Sequence, residues 1–205
     1  MNPLQLILGD EEFLIDRATS SIIRAVRSTM QSNPEELPIT KLRAGDVTPS
    51  EISELLSPSL FAEDRVVILA AAGEAGKEAV STIEQAVKEP APGVVLIVIH
   101  SGGGRAKNLV KILKNAGADV TECPKLTKFS EREDFVVNEF RNLGVRPSRD
   151  TVHALLDAIG GDLRELASAV SQLVADTGGR VDPAAVRRYY AGIAGVTGFQ
   201  VADET

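Results

Sequence analysis

An α/β fold class is predicted for this chain: a three-layer domain with a mainly parallel sheet, followed by a small all-helical domain. Three observations predict it. The run Val94–Ile99 is continuously apolar and β-branched with no polar alternation, as in a central strand covered on both faces. Strand-like and helix-like segments alternate over residues 1–123, the order of a parallel sheet with crossover helices. After Cys123-Pro124, four helical segments follow with no strand between them.

In chain order, Leu4–Leu8 is short, apolar and closed by Gly9-Asp10, so it reads as a buried strand. Leu14, Ala18, Ile22 and Ala25 then recur at helical spacing to about Thr29. Leu37–Leu42 is a weaker strand. Thr48-Pro49-Ser50-Glu51 combines a capping box with a proline in the first helical position, and Ile52, Leu55 and Leu56 form the stripe of that helix. Arg65–Ala70 is a third strand, Gly76–Lys88 a helix with Val80, Ile83 and Val87 on one face, and Val94–Ile99 the fourth strand. Lys107–Ala116 is amphipathic, with Leu109, Ile112, Leu113 and Ala116 inward, and Asp119–Glu122 closes the sheet. In the second domain, Ser130 with Glu133 caps a helix ending at Gly144, and Pro147-Ser148 opens another ending at Gly160-Gly161. Asp162 with Glu165 caps a third, whose Leu163, Leu166, Ala167, Val170, Leu173 and Val174 make the cleanest stripe in the chain, and Asp182-Pro183 starts a fourth.

The 205 residues can hold one or two domains with a sizeable core, and 43% hydrophobic with 25% charged residues is ordinary for a soluble protein. No apolar run reaches spanning length, and the first residues lack a signal peptide's basic region and cleavage site, so a cytoplasmic location is expected. A lone Cys123 excludes an intrachain disulfide and a thiolate zinc cluster. The formal charge of −7 is spread evenly, 13 basic against 17 acidic residues over 1–125 and 9 against 12 over 126–205. Neither part is a basic module, which argues against tight autonomous binding to nucleic acid.

The phosphate chemistry that such a fold invites is missing. The first strand runs into Gly9-Asp10-Glu11-Glu12, not a phosphate loop, and three consecutive carboxylates would repel a triphosphate. They are better placed to cap the following helix. Gly73-Glu74-Ala75-Gly76-Lys77-Glu78 has glutamate where a metal-binding hydroxyl is needed, and Ala71 where the first glycine belongs. Neither Ile68-Leu69 nor Ile99 leads into an acidic pair for magnesium, so no residues are expected to carry ATP hydrolysis. Gly102-Gly103-Gly104-Arg105 after the fourth strand is the one loop suited to an anion, although three adjacent glycines also make an ordinary turn. Lys107, Lys111 and Lys114 share one helix face, which reads chiefly as a solvated face. His100 and His153 lie far apart with no paired nucleophile and read as structural, and Cys123 reads as a small buried hydrophobe.

The stretch Ser57–Leu69 stands apart. Ser57-Pro58 breaks the preceding helical stripe, so Leu60 and Phe61 need a separate reason to be buried, which either the core or a partner supplies. This stretch, the opening Leu-Ile-Leu-Gly-Asp-Glu-Glu-Phe-Leu-Ile-Asp-Arg-Ala and the helix Gly161-Asp162-Leu163-Arg164-Glu165-Leu166 succeed one another as in a known family. The chain resembles the delta subunit of the bacterial DNA polymerase III clamp loader.

The resemblance implies an AAA+-like α/β domain over residues 1–125, a helical lid over 126–195, and in 196–205 a linker to a collar domain that lies beyond this sequence. It implies a non-catalytic subunit, without cofactor or metal, that binds the ring-shaped sliding clamp and helps open it for loading onto primed DNA. The family's clamp-binding Leu-Phe pair matches Leu60 and Phe61, flanked by Ser57, Ser59 and Glu63. Arg164 matches a phosphate-sensing arginine of active relatives and, without a nucleotide pocket, is expected to make structural or subunit contacts. Other loader subunits are implied partners, and DNA would pass near Lys107, Lys111 and Lys114 only within the assembly. Two other classes stay open on the residues alone. One is a nucleotide-dependent enzyme or switch with an atypical phosphate site at Gly102–Arg105, the other a stand-alone DNA-binding protein.

Overall fold

The computed structural model describes residues 1–29, 36–58 and 64–190. They form two compact units, Met1–Lys125 and Leu126–Thr205. The first contains strands β1 (Leu4–Gly9), β2 (Ile39–Arg43), β3 (Arg65–Ala70), β4 (Val94–His100) and β5 (Asp119–Cys123). These alternate with helices α1 (Glu12–Thr29), α2 (Pro49–Leu56), α3 (Lys77–Ala86) and α4 (Leu109–Asn115). The sheet order is β2-β3-β4-β1-β5 and every pairing is parallel, so β1 lies between β4 and β5.

The apolar run of the fourth strand has the expected cause. On one face, Leu4, Leu6, Val67, Leu69, Val94, Leu96 and Val98 pack under α2, α3 and α4 through Ile52, Ile83, Leu109 and Leu113. On the other, Ile7, Val66, Ile68, Ile97 and Cys123 pack with Val26 of α1, and Leu14, Ala18 and Ile22 add partly buried cover. Both faces of β4 are therefore filled, and each fully buried Leu or Ile contributes about 1.5–3 kcal/mol. The three-layer α/β class follows directly from this arrangement.

Element boundaries differ from the sequence reading by one or two residues, and at two helices the difference changes what a residue does. Helix α4 begins at Leu109, two residues late, and Ala116 is an exposed C-cap and not an inward position. Helix α5 (Phe129–Asn142) is capped not by Ser130 with Glu133 but by Glu131, whose carboxylate accepts the Lys128 backbone N–H at 3.0 Å. The carboxylate satisfies an orphan amide without any hydroxyl, so the helix starts before Ser130, and Glu133 is left to face its neighbours.

The second unit continues with α6 (Arg149–Ile159), α7 (Leu163–Thr177) and a helical segment at 183–190. Ser148, Asp162 and Asp182 accept the amides of Thr151, Glu165 and Ala185 at 3.2, 2.8 and 2.7 Å, which places the helix starts where the sequence signals them. Phe135, Val136, Phe140, Val152, Leu155, Leu166, Val170, Leu173 and Val186 form its buried interior. The expected linker, 196–205, lies outside the described residues. Among the described residues no helix is long and apolar enough to cross a membrane.

Candidate functional site

In open parallel sheets ligands bind beyond the carboxyl ends of the strands, at the point where strand order reverses. Here that point is the end of β1, between β4 and β5. Only Asp10 and Glu11 separate β1 from α1. The Glu11 amide donates to the Cys123 carbonyl at 3.0 Å, closing the turn onto β5. Gly9 has φ +145°, and a Cβ there would lie 2.0 Å from the same carbonyl oxygen. A turn this short, drawn this tightly against its neighbour, has no room for a loop of amides around a phosphate. Cys123 itself is buried, and desolvation raises its thiol pKa, with the Glu122 charge adding to the shift.

Beside it, the glycine loop after β4 is folded into a strut. His100 is fully buried, its Nδ1 accepts the Gly102 amide at 2.8 Å, and its Nε2 lies 3.2 Å from the Ala106 carbonyl. Because Nδ1 is the acceptor, the proton belongs on Nε2, directed at that carbonyl. The Ala106 amide donates to the Gly73 carbonyl at 3.0 Å, and at Gly104 (φ +83°) a Cβ would sit 2.4 Å from the same oxygen. Arg105 donates through Nε to the Glu74 carbonyl. The Glu74 carboxylate takes two bonds from Arg43, at 2.9 and 2.8 Å, which hold its pKa below the usual carboxylate range and raise that of Arg43. The Gly102 amide and the Arg105 Nε, the groups an anion site at Gly102–Arg105 would draw on, thus bind within the chain.

Ser57 and Arg65 flank the other stretch singled out by the sequence, and Arg65 lies at the amino ends of the strands. β3 starts at Arg65, which sits opposite Val94 at the start of β4 and donates its amide to the Gly93 carbonyl at 2.8 Å. Ser57 is the C-cap of α2, with its Oγ on the Glu54 carbonyl at 2.7 Å, and its own carbonyl accepts Nη2 of Arg65. Leu60 and Phe61, with Ser59 and Glu63, lie outside the described residues. Their flanks are thus set at the amino edge of the sheet, away from the end of β1. Sequence reasoning took Arg65 only as the first residue of a strand and missed its bond to Ser57; the one available signal was a charged residue opening an otherwise apolar strand.

The remaining candidates are scattered. Lys107, Lys111 and Lys114 are all exposed, but Lys107 precedes α4, so the three do not share one helix face, and Lys114 approaches Glu122 at 3.7 Å. In the second unit Arg164 is an exposed residue of the first turn of α7 and lines a groove with Ile159, Gln172 and Tyr190; burial raises the Tyr190 pKa. His153 meets Glu133 at 3.1 Å and the edge of Phe129, and Glu133 also accepts Arg149 at 3.2 Å. Among the described residues no three His, Cys, Asp or Glu side chains converge as a metal site.

Residues 6–124 match the family model of the DNA polymerase III delta subunit. The chain belongs to that family. The fold of this delta-family chain is similar to that of the Bacillus subtilis DNA clamp loader delta protein, with a TM-score of 0.72 and 22% identity over 92% of this chain and 58% of that one. At this identity the likeness concerns the fold, which is AAA+-like, and the chain spans somewhat over half the length of that relative. The Thermotoga maritima RuvB Holliday junction branch migration motor matches at a TM-score of 0.48 and 11% identity, over 90% of this chain and 60% of that one. No curated protein matches the chain.

Proposed function

We propose that this chain is the non-catalytic part of a clamp loader: it binds the DNA polymerase sliding clamp and helps open it while the ring is loaded onto primed DNA. Family membership over residues 6–124 carries the clamp-loader role. The closed turn at Gly9–Glu11 supports the absence of ATP hydrolysis, because only Asp10 and Glu11 join β1 to α1 and the turn is bonded to the Cys123 carbonyl, which leaves no loop of free amides for a phosphate. The AAA+-like unit is the domain over 1–125 and the helical lid the domain over 126–195, with other loader subunits and, within the assembly, DNA as further partners.

Leu60 and Phe61 are the clamp-binding pair, with Ser57, Ser59 and Glu63 around them. Two adjacent apolar side chains between polar flanks make a compact plug for a hydrophobic pocket, and each such anchor contributes about 2 kcal/mol or more. The double substitution Leu60→Ala with Phe61→Ala is expected to abolish binding to immobilised clamp while leaving circular dichroism and melting unchanged. Retained binding, or a much lower melting temperature, would overturn the assignment of the plug. Titration calorimetry with ATP and magnesium is expected to give no heat of binding; a measurable affinity lost with Arg105→Ala would instead favour a phosphate site at Gly102–Arg105.

A further inference from the structure

We propose that the groove between the end of α5 and the start of α6 is a docking site for an acidic protein segment that carries an apolar residue between its carboxylates. Val137, Arg141, Gly144, Val145, Arg146 and Pro147 line this groove.

Its walls are held by the fold. The Val145 amide donates to the Phe140 carbonyl and the Gly144 amide to the Arg141 carbonyl, both at 2.9 Å, which closes the end of α5 with a two-bond cap. Phe140 is fully buried, and Ser148 secures the start of α6 by accepting the Thr151 amide at 3.2 Å. Both guanidinium groups therefore leave from fixed backbone, Arg141 from the last turn of α5 and Arg146 from the connection to α6.

Both arginines are exposed, and neither guanidinium has a hydrogen-bond or ion-pair partner among the described residues. Arg149, close by, differs: its Nε lies 3.2 Å from the Glu133 carboxylate, which also meets His153. Four residues before Arg141, where a carboxylate would pair with it along the helix, stands Val137. A cation in the last turn of α5 complements the helix dipole. That accounts for Arg141 alone, because Arg146 lies beyond the cap. Nor does it give a reason for the half-buried Val145 and Pro147 beside them, or for Leu143 at the turn, which is 46% exposed.

Two uncompensated guanidinium groups call for an anion, and carboxylates match their planar fork. Val137, Val145 and Pro147 add apolar surface, which an aliphatic side chain covers and a sugar-phosphate backbone leaves bare. Residues 126–205 hold 9 basic against 12 acidic residues, so this part of the chain repels a polyanion, while a short acidic segment needs only the local pair of arginines.

The test uses the whole chain and a dye-labelled peptide, Asp-Asp-Leu-Leu-Asp-Asp, followed by fluorescence anisotropy at low salt. Saturable binding is expected, with Arg141→Gln and Arg146→Gln together weakening it at least about tenfold, equivalent to about 1.4 kcal/mol, and melting unchanged. Peptides with Asn in place of Asp, or Ser in place of Leu, are expected to bind about tenfold more weakly. Arg24→Gln, at an exposed arginine of α1, is expected to change nothing. No saturable binding up to about 1 mM peptide, undiminished binding by the double variant, or an equal loss in Arg24→Gln would overturn the inference. Full binding of the Ser-containing peptide would overturn it too, since charge alone would then be at work. Displacement of the peptide by an equal concentration of a short oligothymidylate would make the groove a phosphate-backbone site, which also overturns it.

Discussion

At the scale of single residues, Gly9 and the backbone amide of Glu11 define this protein more sharply than any ionisable side chain. A side chain at Gly9 would have to displace the carbonyl of Cys123, which holds the end of β5 and accepts the Glu11 amide. Gly9→Ala is therefore expected to destabilise the first unit by more than about 2 kcal/mol, read as a lower urea midpoint. His100 belongs to the same class of structural groups, since both ring nitrogens are engaged by the backbone of its own loop. Replacing it leaves the Gly102 amide and Ala106 carbonyl without their partner, so His100→Ala is expected to lower the melting temperature without affecting clamp binding.

Among the elements, α2 is the mount of the proposed contact stretch, and its start is well secured. The Thr48 hydroxyl accepts the Glu51 amide at 3.3 Å and the Glu51 carboxylate accepts the Thr48 amide at 2.8 Å, with Pro49 in the first turn. Thr48→Ala is expected to cost about 1 kcal/mol in chemical denaturation. The Thr48 amide, and then its hydroxyl, hold the Glu51 pKa below the ordinary 4.5. A carboxyl whose pKa is lower in the folded than in the unfolded chain stabilises fully above the unfolded value and ceases to do so as pH falls through the folded one. Glu51→Gln should thus destabilise at about pH 7, by an amount that shrinks as the pH is lowered below the ordinary carboxylate range, when denaturation midpoints are compared along that series.

For the whole molecule, the division into Met1–Lys125 and Leu126–Thr205 carries its own expectation. Each unit has a buried interior, the first around the sheet and the second around Phe140, Leu155, Leu166 and Val170. A chain ending at Lys125 is expected to keep its circular dichroism and a cooperative melt, because its five strands and both helical layers are complete within it. Loss of cooperativity in that fragment would show that the helical unit is needed to hold the α/β unit together.

Much of this was legible in the sequence. β3 and β4, the capped start of α2, and the stripe and Asp162 cap of α7 follow from periodicity and capping chemistry, which are local and short-ranged. The absence of a phosphate loop was also legible, because that chemistry needs particular residues at fixed spacing. The cap of α5 and the start of α4 were misplaced, since a carboxylate can cap without a hydroxyl and Lys107 lies in the turn before α4. Leu60 and Phe61 remain a reading of the sequence alone, as they lie outside the described residues. Only the tertiary structure decided strand order, the closure of Gly9 onto Cys123, the strut from His100 to Arg43, and the hold of Arg65 on Ser57. Each joins groups from different segments, and nothing in local periodicity or capping encodes which distant groups the packing of a parallel sheet will bring together.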